Sequence, residues 1–449
     1  MHYKSIEKRK KKLNAVRKEL ISSQLNAVRE LLPNHVIEDL CQEADYYFRT
    51  RQLCPLVTIF HMIAAAISRE GSFQSSWHLN GQTGSSGSLA KARKRLPPSI
   101  WEGLDQWICG QISQKHDPKY HWRGHRVIGL DGTCNSMSDE PALAEYFGRA
   151  NSRHGMSRFP IARNVIAFNL NTLITVDHQM GPYRVSEKVL VSQIIPRLPS
   201  GDVIVDDRGF MGIPHYLQCL QEGLHFINRV PSHVRIDRLE IVQSFNSKDR
   251  IVKMPVHRRY RKQNPEWPEY LLLRLIQVTA RIRGQKETFW LAASLLDDSC
   301  YPAAEIRLLY KKRWRVEELL RELKIGLSAD ILRSKSVEQI QKEMLARIVA
   351  SNLIHWLILE AAKAHPKDPK RLSVSAALRL TTAYSLKMST APAWRLPILY
   401  EELLEKIAHS RVPYRPDRIE PRMIKREPKH YPALKISRTQ WRSLYAMAA

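Results

Sequence analysis

The sequence predicts a mixed α/β fold, because three short strands follow one another and helices then alternate with further strands. Residues 127–131, 163–169 and 173–177 are runs rich in β-branched side chains that turn residues separate, as expected of successive strands. The helix, strand, helix and strand that follow complete the order β-β-β-α-β-α-β. This is the order of the ribonuclease-H-like fold, a mixed sheet flanked by helices.

The alternating part of the core begins with a helix over residues 187–195, which ends at Pro196. Residues 203–207 form a strand of the buried type, which opens with the apolar run Val-Ile-Val. A helix over 213–223 and a strand over 224–229 follow. Strands that helices connect in this way run parallel.

An all-α leader precedes these strands, and a β insertion follows them. Apolar residues recur at helical spacing from residue 5 to about 112, interrupted by a glycine- and serine-rich stretch at 71–88. After residue 229 the chain alternates strand-like segments, including 269–278 and 289–294, which predicts a β insertion. Helical periodicity returns before a basic, proline-rich tail, over residues 303–327, 337–362 and 374–382.

The charge balance indicates a polyanionic partner. Lys and Arg number 71 against 44 Asp and Glu, which gives a formal net charge of +27 and a pI near 9.9. So many positive charges on one chain repel one another, and nucleic acid is the partner that best relieves this repulsion. A solvated basic surface or a ribosome-associated protein would have the same composition. The basic helix predicted at 89–96 has the same two interpretations, contact with DNA phosphates or a solvated face.

The cysteines and apolar segments favour a cytoplasmic protein with no membrane association. The six cysteines are far apart and form no C-x-x-C pair, which argues against a zinc knuckle and indicates reduced thiols. The longest apolar run, 53–68, contains Pro55 and is shorter than the roughly 20 residues that span a bilayer. We predict a buried helix there and find no signal-peptide pattern.

Two acidic residues lie at the ends of predicted strands. Asp131 ends the first strand and Asp207 ends the fourth, and these strands are neighbours in this fold. We therefore expect the two carboxylates to converge, although either acid alone is more commonly a turn or capping residue. Asp206 faces the opposite way from Asp207, so only one of them can meet Asp131.

A third acid, Glu317, lies on the helix predicted over 303–327. One polar stripe contains four side chains within about 60° of one another, at about 100° per residue: Tyr310, Arg313, Glu317 and Lys324. The alternative interpretation is a solvated helix face with i,i+4 ion pairs.

Three carboxylates suit metal-dependent cleavage of a phosphodiester. That reaction needs an activated water and a stabilised leaving oxygen, and two divalent ions roughly 3.5–4 Å apart supply both. Mg²⁺ prefers oxygen ligands and keeps several waters, so two Asp and one Glu suffice without His or Cys. We expect Mg²⁺, with Mn²⁺ able to substitute for it, at Asp131, Asp207 and Glu317.

These motifs resemble those of a known family. The four residues of the stripe match, without a gap, the Tyr-x2-Arg-x3-Glu-x6-Lys signature of the DDE transposases of bacterial insertion sequences, in the insertion sequence four family. The Asp-Gly-Thr segment at Asp131 and the Asp-Arg-Gly-Phe segment at Asp207 also resemble the family's first two acidic motifs. The resemblance covers roughly residues 126–327 and, more loosely, the helical leader.

The resemblance implies that Asp131, Asp207 and Glu317 are the catalytic, metal-binding triad of a transposase. It implies cut-and-paste cleavage at transposon ends, with a hairpin intermediate, by a homodimer that pairs two ends of double-stranded DNA. The candidate DNA contacts are Tyr310, Arg313, Lys324, Arg208, Trp290 and Trp314. A tryptophan that stacks on a flipped base contributes about 1–3 kcal/mol; the alternative for Trp290 is a buried strand residue.

The predicted domains follow from this organisation. They are a helical DNA-binding domain (1–120), the first part of the catalytic core (121–229), a β insertion domain (230–300), the second part of the core (301–385) and a basic C-terminal tail (386–449). Two other functions fit the sequence. A structure-selective endonuclease of the same fold would not join strands, and a non-catalytic DNA-binding protein would show no Mg²⁺ dependence.

Overall fold

The computed structural model describes residues 32–48, 52–67, 74, 85–152, 155–210, 212–282, 285–413, 436 and 438–446. The helical prediction for residues 5–31, most of the loop predicted at 71–88 and the tail at 414–435 lie outside the described residues.

The described residues contain the following regular elements. The strands are β1 (Val127–Met137), β2 (Asn151–Ser152), β3 (Gly155–Met156), β4 (Ile161–Asn169), β5 (Thr175–Pro182), β6 (Val203–Asp206), β7 (His225–Arg229), β8 (Glu240–Asn246), β9 (Asp249–Pro255), β10 (Tyr270–Ile282), β11 (Gln285–Ala293) and β12 (Ile331–Leu332). The α-helices are α1 (Asn34–Glu43), α2 (Pro55–Ile67), α3 (Ser86–Arg95), α4 (Pro98–Tyr120), α5 (Pro141–Phe147), α6 (Glu187–Ile194), α7 (Ile213–Gln221), α8 (Arg258–Gln263), α9 (Ala303–Lys311), α10 (Trp314–Arg321), α11 (Val337–Ala364), α12 (Val374–Thr390), α13 (Leu396–His409) and α14 (Arg438–Ala446).

The sheet is mixed and has ten strands. Its order is β5-β4-β1-β6-β7-β11-β10-β9-β8, and β12 pairs with the far end of β1. β1, β6 and β7 run parallel, whereas the pairs from β7 through β11 to β8 are antiparallel. The prediction that the first and fourth strands are neighbours is confirmed, because β1 pairs with β6 from Val127 to Gly129.

The chain divides into two compact units, which are described separately. The sheet unit comprises residues 113–134 and 162–321, and the helical unit comprises residues 1–112, 135–161 and 322–449. The domain boundaries that the sequence suggests stay a prediction. The strands of the predicted insertion, β8 to β11, extend the central sheet through the pairing of β11 with β7.

The core of the sheet unit forms where helices α6 and α7 cover the sheet. All four residues of β6 are buried, as expected of a parallel strand covered on both faces. Ile204 packs in one apolar cluster with Leu190 of α6 and Leu217 of α7. The loops that leave the ends of β1 and β6 are therefore carried by a rigid scaffold.

The helical unit is built around α11. This helix is long and apolar enough to cross a membrane by length and composition, but 94% of its most apolar stretch is buried within the protein. It packs against α2, α12 and α13. The prediction of a buried helix at residues 53–68 is confirmed, because α2 buries nine of its residues.

The single helix predicted over 303–327 is wrong. The chain instead forms α9, a turn at Lys312 and Arg313, α10, and then a π-helix over Glu322–Gly326. The amide of Arg313 donates to the carbonyl of Tyr310 at 3.0 Å, and the amide of Val316 donates to the carbonyl of Arg313 at 2.9 Å. These i→i+3 bonds tighten the backbone at the junction. A constant 100° per residue therefore does not relate the four signature side chains across this junction.

Two further elements extend beyond their predicted ends. β1 continues past Asp131 to Met137, where β12 pairs with it. α12 continues to Thr390, and α13, in the segment predicted as a tail, packs against α11 and α12. The extension of β1 depends on a partner that is distant in sequence, which local patterns do not reveal.

Candidate active site

Asp131 lies within β1, close to where β1 loses its neighbour. The last β1–β6 pair joins Gly129 to Val205, and β6 ends at Asp206. Asp131 is half-buried, and its Oδ1 accepts a hydrogen bond from the amide of Gly132 at 2.7 Å. The prediction that Asp131 ends its strand is wrong, because β1 continues to Met137, but Asp131 does lie beyond the last residue of β1 that pairs with β6.

Asp207 follows β6 directly and is half-buried. Its neighbour Asp206 is fully buried, and its Oδ2 lies 2.8 Å from Nε2 of His215. Of the two adjacent acids, Asp207 is therefore the one that solvent reaches.

Glu317 lies in the first turn of α10, and its side chain is 46% exposed. The same helix packs directly on β1, because a Cβ placed on Gly129 would lie 2.4 Å from Cγ2 of Val316. Arg313 Nη2 donates to Oε1 of Glu317 at 3.3 Å. The absence of a side chain at Gly129 thus allows the helix that carries Glu317 to approach the strand that carries Asp131.

The electrostatics of Asp131 link it to three charged neighbours. Burial raises the pKa of its carboxyl from 3.8 to about 6, and the negative charges of Glu187 and Glu317 add to the rise. The amide of Gly132 and the guanidinium of Arg313 oppose it. Glu187, Glu317 and Arg313 therefore each lie close enough to Asp131 to influence its ionisation.

Tyr310 connects the second acid to this group. Its side chain is buried, and burial raises the pKa of its hydroxyl well above the ordinary value. The charge of Asp207 contributes to the rise, and Arg313 and Arg229 oppose it. The charge of Arg313 thus lowers the pKa of both Asp131 and Tyr310.

Lys324, the last signature residue, lies in the π-helix and belongs to the helical unit. Its assignment as a phosphate contact stays a prediction.

The two candidate tryptophans differ in accessibility. Trp290 on β11 is half-buried against the core, and the guanidinium carbon of Arg250 lies 4.9 Å from its ring centroid. Trp314 is 53% exposed and lies 5.3 Å from the guanidinium carbon of Arg313. Arg208 is exposed beside Asp207. The roles of all three in binding DNA stay predictions.

Glu187 is a further acid beside Asp131 that was not predicted from the sequence. A Cβ placed on Gly132 would lie 2.2–2.7 Å from the carboxylate atoms of Glu187, so this carboxylate packs against the backbone next to Asp131. Ser186, which caps α6 through a bond from the amide of Val189, identifies Glu187 as a first-turn acid. That pattern was visible in the sequence, but the approach to Gly132 was not.

Comparison with known proteins identifies the family. The family model described as the transposase DDE domain matches residues 122–353, more than half of the chain. The chain belongs to this DDE transposase family. The protein is therefore a DNA transposase, an enzyme of a family that uses divalent metal ions.

Two relatives from Escherichia coli strain K12 support the assignment. The transposase InsG of insertion sequence element IS4 is 24% identical to this transposase over 328 residues, 72% of each chain. The putative transposase InsZ is 28% identical over 136 residues, 30% of this chain and 46% of that protein. A solved piggyBac transposase synaptic complex with hairpin DNA aligns over 86% of this chain and 85% of its own, with 12% identity. Its TM-score of 0.41 is too low to support a conclusion.

Proposed function

We propose that this transposase cuts DNA at the ends of an insertion sequence and joins the freed 3′ ends to target DNA, with Asp131, Asp207 and Glu317 as its metal ligands. The observation that carries the proposal is the position of Arg313. Its charge lowers the pKa of Asp131, and its guanidinium pairs with Glu317. The charges of Arg313 and Asp207 both influence the pKa of Tyr310. The strand order β5-β4-β1-β6-β7 supports a ribonuclease-H-like core.

The donor set suits Mg²⁺, with Mn²⁺ as a substitute, because all of its donors are carboxylate oxygens. Among the described residues, no three His, Cys, Asp or Glu side chains lie close enough to hold an ion as they stand. Glu317 is engaged by Arg313, so its side chain would have to turn away from that partner to hold an ion. Bound divalent ions supply an activated water and stabilise the departing oxygen.

Arg313, once released, is suited to bind the phosphate next to the cut. Its guanidinium can contact a phosphate through two hydrogen bonds, and its side chain is only 11% exposed, so water competes little. Tyr310 lies beside it, and we propose Arg208 and Lys324 as further phosphate contacts. Trp290 or Trp314 would stack on a base flipped out of a hairpin end.

We propose that the transposase acts as a homodimer that pairs two double-stranded ends, in the bacterial cytoplasm and close to the nucleoid. The net charge of +27 supports binding to more than one DNA segment.

The decisive test compares two variants, in which Glu317 or its neighbour Glu318 is replaced. Glu317→Gln keeps the shape of the side chain but removes its charge, so we expect cleavage of a transposon-end duplex to fall by at least about 100-fold, with end binding retained. Glu318→Gln is the matched control, because Glu318 is also exposed and also faces an arginine, Arg315, at 3.8 Å. Equal activity of the two variants in Mg²⁺ would refute the assignment.

The products of the wild-type enzyme test the finer steps. A hairpin intermediate would migrate as a fragment of double length on a denaturing gel, and strand transfer would join the labelled end to a target plasmid. Cleavage without joined product would contradict the proposed transfer step.

A further inference from the structure

A network of buried polar groups lies directly beneath Asp207. Asp206 and Asn228 are both fully buried, and they face each other in the register of the parallel strands β6 and β7. Asn228 Nδ2 donates to Oδ1 of Asp206, and it also donates to the backbone carbonyl of Asp207 at 2.9 Å. One amide group therefore contacts both adjacent acids.

The carbonyl of Asp207 receives a second donor, the amide of Phe210, at 3.0 Å. Phe210 is itself buried in the core of the sheet unit. The backbone carbonyl of Asp207 thus accepts two hydrogen bonds, one from Asn228 and one from Phe210.

The other oxygen of Asp206 ties the strand to the next helix. Its Oδ2 lies 2.8 Å from Nε2 of His215, whose side chain is 9% exposed and lies in the first turns of α7. Tyr216, the next residue, donates its hydroxyl to Oδ1 of Asn228 at 3.2 Å and stacks on Phe226 of β7 at 4.1 Å between ring centroids. Asp206 therefore connects the C-terminal end of β6 to the N-terminal part of α7.

We infer that Asp206, Asn228 and His215 are positioning residues of the transposase, which hold the backbone of Asp207 so that its carboxylate is preorganised for a metal ion. A carboxylate on an unsupported loop would have to be ordered when the ion binds, and the loss of conformational entropy would weaken binding. This inference rests on the proposed role of Asp207 as a metal ligand. None of the three residues needs to touch the ion or the DNA.

The test measures Mn²⁺ binding directly, by electron paramagnetic resonance, beside the Mn²⁺ dependence of cleavage. We expect Asp206→Ala and Asn228→Ala to raise the half-saturating Mn²⁺ concentration about 10-fold or more, the usual effect of removing a residue that orients a metal ligand. Asp206→Asn should restore most of the affinity, because an amide there can still accept from Asn228 and donate to a neutral His215.

Asp202→Ala is the matched control. Asp202 lies just before β6, at the opposite end of the strand, is buried like Asp206 and is paired with Arg126 at 2.6 Å. The Asp202→Ala variant should lose about as much thermal stability as Asp206→Ala, without a change in Mn²⁺ affinity. If Asp206→Ala does not fold, Asn228→Ala gives the same comparison.

Two outcomes overturn the inference. One is an unchanged Mn²⁺ midpoint in the folded Asp206→Ala and Asn228→Ala variants, and the other is an equal shift in Asp202→Ala. Asp207→Asn separates this failure from failure of the proposed function: if that variant binds Mn²⁺ and cleaves like the wild type, Asp207 is not a ligand. If Asp207→Asn loses both but Asp206→Ala behaves like Asp202→Ala, only the positioning role is refuted.

Discussion

Asp131 lies where burial and neighbouring negative charges both disfavour its ionised form. Its folded pKa of about 6 lies above its ordinary value of 3.8, so the folded state binds the proton more tightly than the unfolded state does. This contribution to stability is complete below about pH 4 and is lost as the pH rises through about 6. At neutral pH the ionised carboxylate therefore destabilises the metal-free protein, by at most about 3 kcal/mol.

Asp131→Asn should consequently stabilise the metal-free protein at pH 7.5 while it abolishes cleavage. The gain in unfolding free energy should be small at pH 4, grow up to pH 6 and stay constant above it, as denaturant titrations at several pH values would show. Addition of Mg²⁺ should stabilise the wild type only, because the ion binds its folded state. A gain that does not change with pH would contradict this account.

At the scale of single elements, a buried lysine holds the end of a helix. Lys342 of α11 is fully buried, and its Nζ donates to the carbonyls of Arg93, Lys94 and Leu96 at 3.2, 3.2 and 2.6 Å, at the C-terminal end of α3. These are carbonyls that a helix end leaves without intrahelical partners. Lys342 thereby fixes α3, the basic helix predicted from sequence, to the core of the helical unit.

Lys342→Met should lower the free energy of unfolding by about 2–4 kcal/mol, because it removes the buried donor of these carbonyls. Lys335→Met is the control. Lys335 is 75% exposed and paired only at the surface with Glu140, so its loss should change stability by less than about 1 kcal/mol. Chemical denaturation of both variants tests the difference, and equal effects would show that Lys342 does not act as a cap.

The strands and acids could be predicted because their signals are local. β-Branched runs mark β1, β4 and β6, and the residue that follows a strand, such as Asp207, can be read directly from the sequence. The break between α9 and α10 could not be predicted, because the segment has continuous helical periodicity. The need for glycine at positions 129 and 132 likewise becomes clear only from the structure, where Val316 packs against Gly129 and Glu187 against Gly132.

At the scale of the whole molecule, the net charge of +27 dominates binding to any DNA. Association releases counterions from the phosphates, so affinity falls steeply with salt. We expect the affinity for a duplex without transposon ends to fall by on the order of 10³ or more between roughly 50 and 200 mM salt. Fluorescence anisotropy across this range measures the slope, and a nearly flat dependence would mean that the basic residues do not face the DNA.

The apolar helix α11 also has a consequence for synthesis on the ribosome. Its early partner, α2, is made before it, but α12 and α13 emerge only afterwards. Until residue 409 has been translated, the surface of α11 that α13 covers stays exposed, and an exposed apolar surface of this kind attracts chaperones and proteases. A frameshifted or prematurely stopped copy of the gene should therefore yield a short-lived product rather than a persistent fragment that competes for the element's ends.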